Sequence, residues 1–435
     1  MRVRGIKLGY FIYCLLVILP IYQDSPLSAI LKSAGQSMMP LISLVAITIY
    51  ILIYRKVFVT KEIKTLFYLG IWLISISAIS IFIWGIFGNP LTLYGEWLPT
   101  KAFKVIIQYL ALPAYASLIL MFMKKLDVDH VFRPIVFTLV ILTIIALIEI
   151  NSMPYAFEAL HFVGKIPYYR VRLLTTESSW TTLMIYNYVI LSLLYGLLRE
   201  KKNVCILALA CGVLFAVTTG AKSLMVAIIV SYILYIAISF KKLSRRLVVV
   251  SIIAFIFGIF IVLRILPELK ISIANDIKNY TSIATRSYTM VIGLLLGIIF
   301  PFGVGCSVYL GVFPQYLLKY IGFFNNLPFN LNTSEIYSYI YGVTDYGLTV
   351  KSGLLQYNMY WGIVGTFVIF KMFINISKNL AKRNLRYGNV LLMGFWCNVI
   401  LISISSYFSF EFILMMGIVI YFGQEWNFSK ISIEI

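Results

Sequence analysis

The chain of 435 residues is 61% hydrophobic and 12% charged, where soluble domains run at roughly 45–50% apolar, and this excludes a soluble globular fold. The formal net charge of +20 would suit nucleic acid if it were gathered in one patch. The Lys and Arg residues instead sit in short clusters between apolar runs, which is the pattern of membrane topology. Cysteines 14, 205, 211, 306 and 397 are scattered without paired spacing, so neither a disulfide framework nor a thiolate metal site is expected.

The apolar runs are about 17–25 residues long, the length a helix needs to cross a hydrocarbon layer, and they lack the alternation of barrel strands. In chain order they predict spans near 6–22, 38–54, 66–87, 105–123, 135–150, 181–198, 204–219, 224–240, 247–265, 354–372, 390–406 and 409–423. The expectation is an all-α polytopic membrane protein of about 12 transmembrane helices, a single integral membrane domain over residues 1–435. The basic start Met1 to Arg4 ahead of an apolar stretch to Pro20 resembles a secretory signal, but with so many later runs it reads as an uncleaved first helix. With both termini cytoplasmic, about 23 of the 36 Lys and Arg residues fall inside, as the positive-inside rule requires.

Three outside segments are long: 88–104, 151–180 and, between the ninth and tenth spans, 266–353, a periplasmic loop in bacterial terms. Within the last, Val291 to Phe300 ahead of Pro301-Phe302-Gly303-Val304-Gly305 is apolar enough to span. Counting it would put the basic segment 371–386 outside, so it reads as a helix on or dipping into the outer face, making 266–353 a loop with membrane-associated helices inserted in it.

Cations, aromatics and a carboxylate share one membrane edge in Lys165 to Trp180. Arginine offers paired N–H donors and keeps its charge, so Arg170 and Arg172 are suited to hold a lipid-linked pyrophosphate, and Glu177 to orient or deprotonate a sugar hydroxyl. The same residues would equally serve as headgroup anchors. Lys222 emerges at the tight outer turn 218–223, where an anion partner or snorkelling would account for it. The long loop adds Arg286, Glu335 and Asp345 with several tyrosines, Tyr337 among them, a mixture that suits a glycan as well as it suits a solvated surface. Glu149 and Glu411 are carboxylates at span ends, functional candidates by default unless a small shift moves them into the headgroups. His130 falls in a cytoplasmic loop and His161 in the second outer segment. Two histidines are too few for an imidazole-based metal site, and no G-x-x-x-x-G-K-[ST] phosphate loop is present.

With these residues in hand, the chain resembles the Wzy-type O-antigen polymerases, within the wider group of O-antigen polymerases and ligases. The resemblance lies in the topology and in four local features. Arg170, Arg172 and Glu177 resemble an Arg-bearing outer segment with a Glu leading into a helix. Thr219-Gly220-Ala221-Lys222-Ser223 resembles a T-G-S-R-G-like hairpin, with Lys in place of Arg. Arg286 followed by an apolar helix and Pro301, Gly303 and Gly305 resembles an Arg, helix and P-x-G-x-G sequence, and Gly362-Ile363-Val364-Gly365 a G-I-I-G-like signature. The His-Asn pair that many ligases carry before that signature is missing, Tyr357-Asn358 standing nearby, which favours the polymerase branch.

The resemblance implies a metal-independent glycosyltransferase without a cofactor, in the bacterial inner membrane and acting at its periplasmic face. It would move a growing glycan from undecaprenyl pyrophosphate to a lipid-linked repeat unit, with a chain-length regulator as a partner. On this expectation Glu177, Glu335 and Asp345 are the catalytic candidates, and Arg170, Arg172, Lys222, Arg286 and Tyr337 hold pyrophosphate or glycan. A lipid-linked oligosaccharide flippase is the rival from another class, disfavoured by the long loop and the nearly uncharged span centres. An O-antigen ligase and a peptidoglycan polymerase of the shape–elongation–division–sporulation type are further alternatives.

Overall fold

The computed structural model describes residues 2–25, 36–55, 59–155, 161, 170–176, 180–219, 222–239, 282–326, 333–342, 348–383, 385–404 and 408–424. The span expected at 247–265 lies outside these residues.

Helices dominate. They are α1 (Arg2–Ile18), α2 (Met39–Tyr54), α3 (Lys61–Ile86), α4 (Leu98–Met123), α5 (Val128–Ser152), α6 (Thr181–Leu198), α7 (Lys202–Thr219), α8 (Lys222–Ser239), α9 (Ser282–Ile299), α10 (Tyr309–Asn325), α11 (Ser334–Ile340), α12 (Gly353–Lys382), α13 (Gly388–Ile404) and α14 (Phe410–Gly423). Six of the described helices, α3 to α7 and α12, are long and apolar enough to cross a membrane, and α1, α2, α8, α9, α13 and α14 carry shorter apolar stretches. The apolar stretch Val291 to Phe300 forms the end of α9, which closes at Ile299, while α10 and α11 are two further helices inside the expected long loop. A hairpin of β1 (Thr92–Leu93) and β2 (Glu96–Trp97) turns at Tyr94 and Gly95, whose φ of 51° and 73° give the left-handed turn a tight hairpin favours.

The chain forms two compact units. Unit 1 comprises Met1–Tyr68, Ile107–Tyr235 and Ile369–Ile435, and unit 2 comprises Leu69–Ile106 and Ile236–Val368. In unit 1, α6 and α14 are buried almost all round, Thr181 to Tyr188 and Glu411 to Gly423 without interruption. A helix apolar on every side is one enclosed by others. By contrast α7 exposes Ile206, Leu209, Val213 and Val217, the last at 75%, and α2 exposes Leu41, Val45, Ile49 and Leu52. Their three- and four-residue spacing makes one apolar stripe per helix turned outward, which water would not tolerate and lipid does.

Lipid gives helices little hydrophobic reason to associate, so packing and interhelical hydrogen bonds must hold them. Fully buried tyrosines supply the bonds in unit 1. Tyr13 of α1 donates to Val131 O (3.0 Å), Tyr115 of α4 to Leu16 O (2.9 Å), Tyr188 of α6 to Val17 O (2.6 Å) and Tyr109 to Leu66 O (3.0 Å). Each hydroxyl reaches a carbonyl of another helix and leaves its ring as apolar filling.

In unit 2 the two glycine motifs lock into each other. Gly362, at φ 75° and ψ −179°, breaks α12 into two helical stretches. The Pro301–Gly305 turn binds at the break: Val304 N–H donates to Met359 O (3.0 Å), Gly305 N–H to Tyr360 O (3.1 Å) and Val364 N–H to Pro301 O (3.2 Å). Such bonds satisfy the groups a helix interruption frees. The backbones approach so closely that a Cβ on Gly303 would sit 2.1 Å from Tyr360 O, and one on Gly362 2.0 Å from Pro301 O. Nearby, Asn358 of α12 donates to Gly293 O of α9 (3.0 Å) and accepts from Thr366 (2.8 Å).

Gly303→Ala and Gly362→Ala should each destabilise unit 2 by roughly 3 kcal/mol, from the backbone clash and from a φ disfavoured for alanine. Gly322→Ala in α10, whose new methyl meets nothing within 4 Å, should leave stability unchanged or slightly raised. Thermal melting of the purified protein in detergent measures the difference; equal melting of all three variants would contradict the interlock.

Candidate functional site

A buried polar cluster lies at one end of unit 1, where α1 ends and α6 begins. Pro20 closes α1 through a 3-10 turn, Leu19–Ile21, and Gln23 N–H then bonds Leu174 O (2.9 Å). This holds the segment after α1 against the segment before α6, and Asp24 becomes fully buried there.

Glu149, near the C-terminal end of α5, is also fully buried. Its Oε2 accepts from the consecutive backbone N–H groups of Arg172 (2.8 Å) and Leu173 (3.0 Å), and its Oε1 faces His161 Nε2 at 2.9 Å. Leu173 adopts a left-handed φ of 53°, a strain of about 1–2 kcal/mol for a residue with a Cβ. Two charge-assisted bonds to one carboxylate oxygen offset it. The other ring nitrogen of His161, Nδ1, faces Asp24 Oδ2 at 3.1 Å. Beside this group Gln23 donates to Glu411, and Asn187 of α6 donates to Glu411 O (3.0 Å).

His161 therefore bridges two carboxylates through both ring nitrogens. A neutral imidazole has one N–H and could serve only one of them, whereas the imidazolium serves both. Burial works against the charged ring and the Arg172 guanidinium opposes it further, but the bonds to Asp24 and Glu149 outweigh both, so the His161 pKa is raised above 6.5. The buried Arg172 side chain places a second cation near the ring.

A second set of polar residues belongs to unit 2. Arg286 on α9 is half-buried, and its guanidinium has no hydrogen-bond or ion-pair partner among the described residues. Its neighbour Thr285 donates to Glu335 Oε2 (2.8 Å), and Tyr339 donates to Glu335 Oε1, so this half-buried carboxylate has a hydroxyl on each oxygen. Tyr337 on α11 and Tyr341 just past its end stand one turn apart, their rings parallel within 3°, at 38% and 69% exposure. Lys351 lies over the Tyr339 ring, 5.1 Å from its centre, and Tyr94 of the hairpin donates to Ile340 O (3.2 Å).

Of the residues singled out from sequence, Arg170 is exposed and Arg172 buried in the unit 1 cluster, while Arg286, Glu335 and Tyr337 lie together on α9 and α11 of unit 2. Glu177 and Asp345 lie outside the described residues, as does the side chain of Lys222, the first residue of α8. Glu149 and Glu411, read as span-end carboxylates, are buried and bonded rather than placed at the surface. Sequence reasoning passed over Asp24 and gave His161 no role. The available signals were an acid just beyond the Pro20 helix end and one of only two histidines falling in an outer segment rich in cations.

The raised pKa of His161 fixes the sign of a pH effect. The folded state holds the proton more tightly than the unfolded chain, so the stabilisation is complete below about pH 6.5 and is lost as pH rises through the raised folded value. The melting temperature should fall with pH above that point, and His161→Gln should abolish that component of the fall. A His161→Gln variant that keeps the full pH dependence would show that another group is responsible.

No known protein family, curated protein or solved structure matches this chain.

Proposed function

We propose that this chain is a surface-polysaccharide polymerase of the Wzy type, acting at the periplasmic face of the bacterial inner membrane. It transfers a growing glycan from undecaprenyl pyrophosphate onto a lipid-linked repeat unit, without a metal. The chemical difficulty is a pyrophosphate leaving group at a low-dielectric edge, where a positioned cation stabilises developing charge far better than water does.

The observation that supports the reading best is Arg286. It is a half-buried guanidinium without a counter-ion among the described residues, on a helix whose end is fastened by the glycine interlock. Keeping a cation partly desolvated and unpaired is costly, and an anionic ligand accounts for it. Glu335 and the parallel rings of Tyr337 and Tyr341 beside it suit a sugar, whose hydroxyls need acceptors and whose apolar face needs a flat ring.

A second reading, a flippase for lipid-linked oligosaccharides, draws on the buried Asp24, His161 and Glu149. Clusters of this kind at membrane depth also serve proton relays.

Arg286→Ala tests the two together. In a strain producing the polysaccharide, the polymerase reading expects normal amounts of the variant in the membrane and surface glycan reduced to single repeats on gels. A normal ladder of long chains would remove Arg286 from the site. Deleting the whole chain separates the classes: loss of all surface glycan, single repeats included, would favour the flippase.

A further inference from the structure

The short helix α11 of unit 2 is fastened at both ends. Seven residues are too few for a helix to persist alone, so its tertiary bonds must hold it. Thr285 of α9 donates to Glu335 in the first turn, Tyr94 of the hairpin donates to Ile340 O at the last residue, and Ile336 and Tyr339 bury the inner side at 0% and 8% exposure. Held outward are Tyr337 and, one turn on, Tyr341. Their rings are parallel within 3° with centres 6.4 Å apart, and among the described residues neither hydroxyl has a hydrogen-bond partner. Parallel rings share one face direction, so a flat ligand seated on one is already aligned for the other. A turn of α-helix advances about 5.4 Å, close to the advance of one pyranose along a linked chain. The pair therefore matches two successive sugars, whereas a single sugar would need only one ring. Exposure rises along it, from 38% at Tyr337 to 69% at Tyr341. Thr285, the residue before Arg286, is bonded to the Glu335 end, so the order Arg286, Glu335, Tyr337, Tyr341 runs from a half-buried cation to the most exposed ring.

We infer that Tyr337 and Tyr341 form a two-subsite track on which the growing glycan lies as it leads away from the donor pyrophosphate, and that this grip sets how long the product chains become. The inference rests on the polymerase reading, in which Arg286 faces the leaving pyrophosphate, so that the sugars attached to that carrier are those of the growing chain. After each transfer the chain hangs from a new carrier, and the spent one must depart before the next cycle. Contacts to the sugars are common to both carriers and keep the chain in place through that exchange. Ring faces meet the C–H faces of sugars without a fixed set of hydrogen bonds, so the contact survives a shift of the chain by one sugar. No bond is made or broken at the track itself.

The test uses the full-length protein in lipid nanodiscs and lipid-free fragments of the producing strain's own surface polysaccharide, two or more repeats long. Titration followed by saturation-transfer NMR should show Tyr341→Ala weakening fragment binding by about three- to tenfold. Tyr341→Phe should retain most of the binding, because the ring face makes the contact, and the Tyr337→Ala/Tyr341→Ala double variant should lose more than Tyr341→Ala. In the producing strain, Tyr341→Ala should still polymerise but shift the ladder to shorter chains. If the double variant fails to fold, Tyr341→Ala, the more exposed of the two positions, carries the test alone. Fragment binding within about twofold of wild type in folded Tyr341→Ala protein would overturn the track, and is what rings that serve only as headgroup anchors would give. A ladder of unchanged length from that variant would refute the control of chain length. Wild-type protein that binds the fragments but makes no polymer from lipid-linked single repeats would instead count against the polymerase reading itself.

Discussion

A polar group enclosed by apolar surroundings must find its partner within the chain, and most of what organises this protein follows from that constraint. Water is not at hand to complete a bond. Tyr13, Tyr109, Tyr115 and Tyr188 meet the demand by reaching helix carbonyls; Tyr13, Tyr115 and Tyr188 thereby fasten α1 to its neighbours, and Tyr109 fastens α4 to α3. Glu149 meets it by gathering two backbone amides and an imidazole around one carboxylate. The break at Gly362 meets it with the amides and carbonyls of the Pro301–Gly305 turn.

The same constraint makes exceptions informative. Among the described residues, Arg286, half-buried without an ion pair, and Asp24, buried with one oxygen unbonded, are positions where a strong group is left unsatisfied. One is a cation on α9 of unit 2, the other an acid just beyond α1 in unit 1. The functional reading turns on these incomplete places more than on the well-bonded ones around them.

The helices were legible because the length of an apolar run is a local property. The expected spans at 181–198 and 409–423 fall on α6 and α14 almost residue for residue. The glycines at 303, 305 and 362 were visible as motifs, but their meaning was not, since two segments some sixty residues apart must meet before either motif explains the other. The cluster around Glu149 was harder still. Asp24 and His161 are 137 positions apart, and neither has a sequence neighbourhood that marks it. Their pairing exists only once α1, α5 and α6 share one end of unit 1. Arg172 was recognised as a cation with a purpose, yet its burial beside two acids depends on a left-handed turn at Leu173, a residue type that advertises no such conformation.

The proton on His161 bears on how that cluster responds to voltage. Removing it takes one positive charge out of the cluster, worth about 2.3 kcal/mol per 100 mV for whatever fraction of the field reaches it. Acidity and membrane potential would then act on this part of the protein jointly, through a single proton.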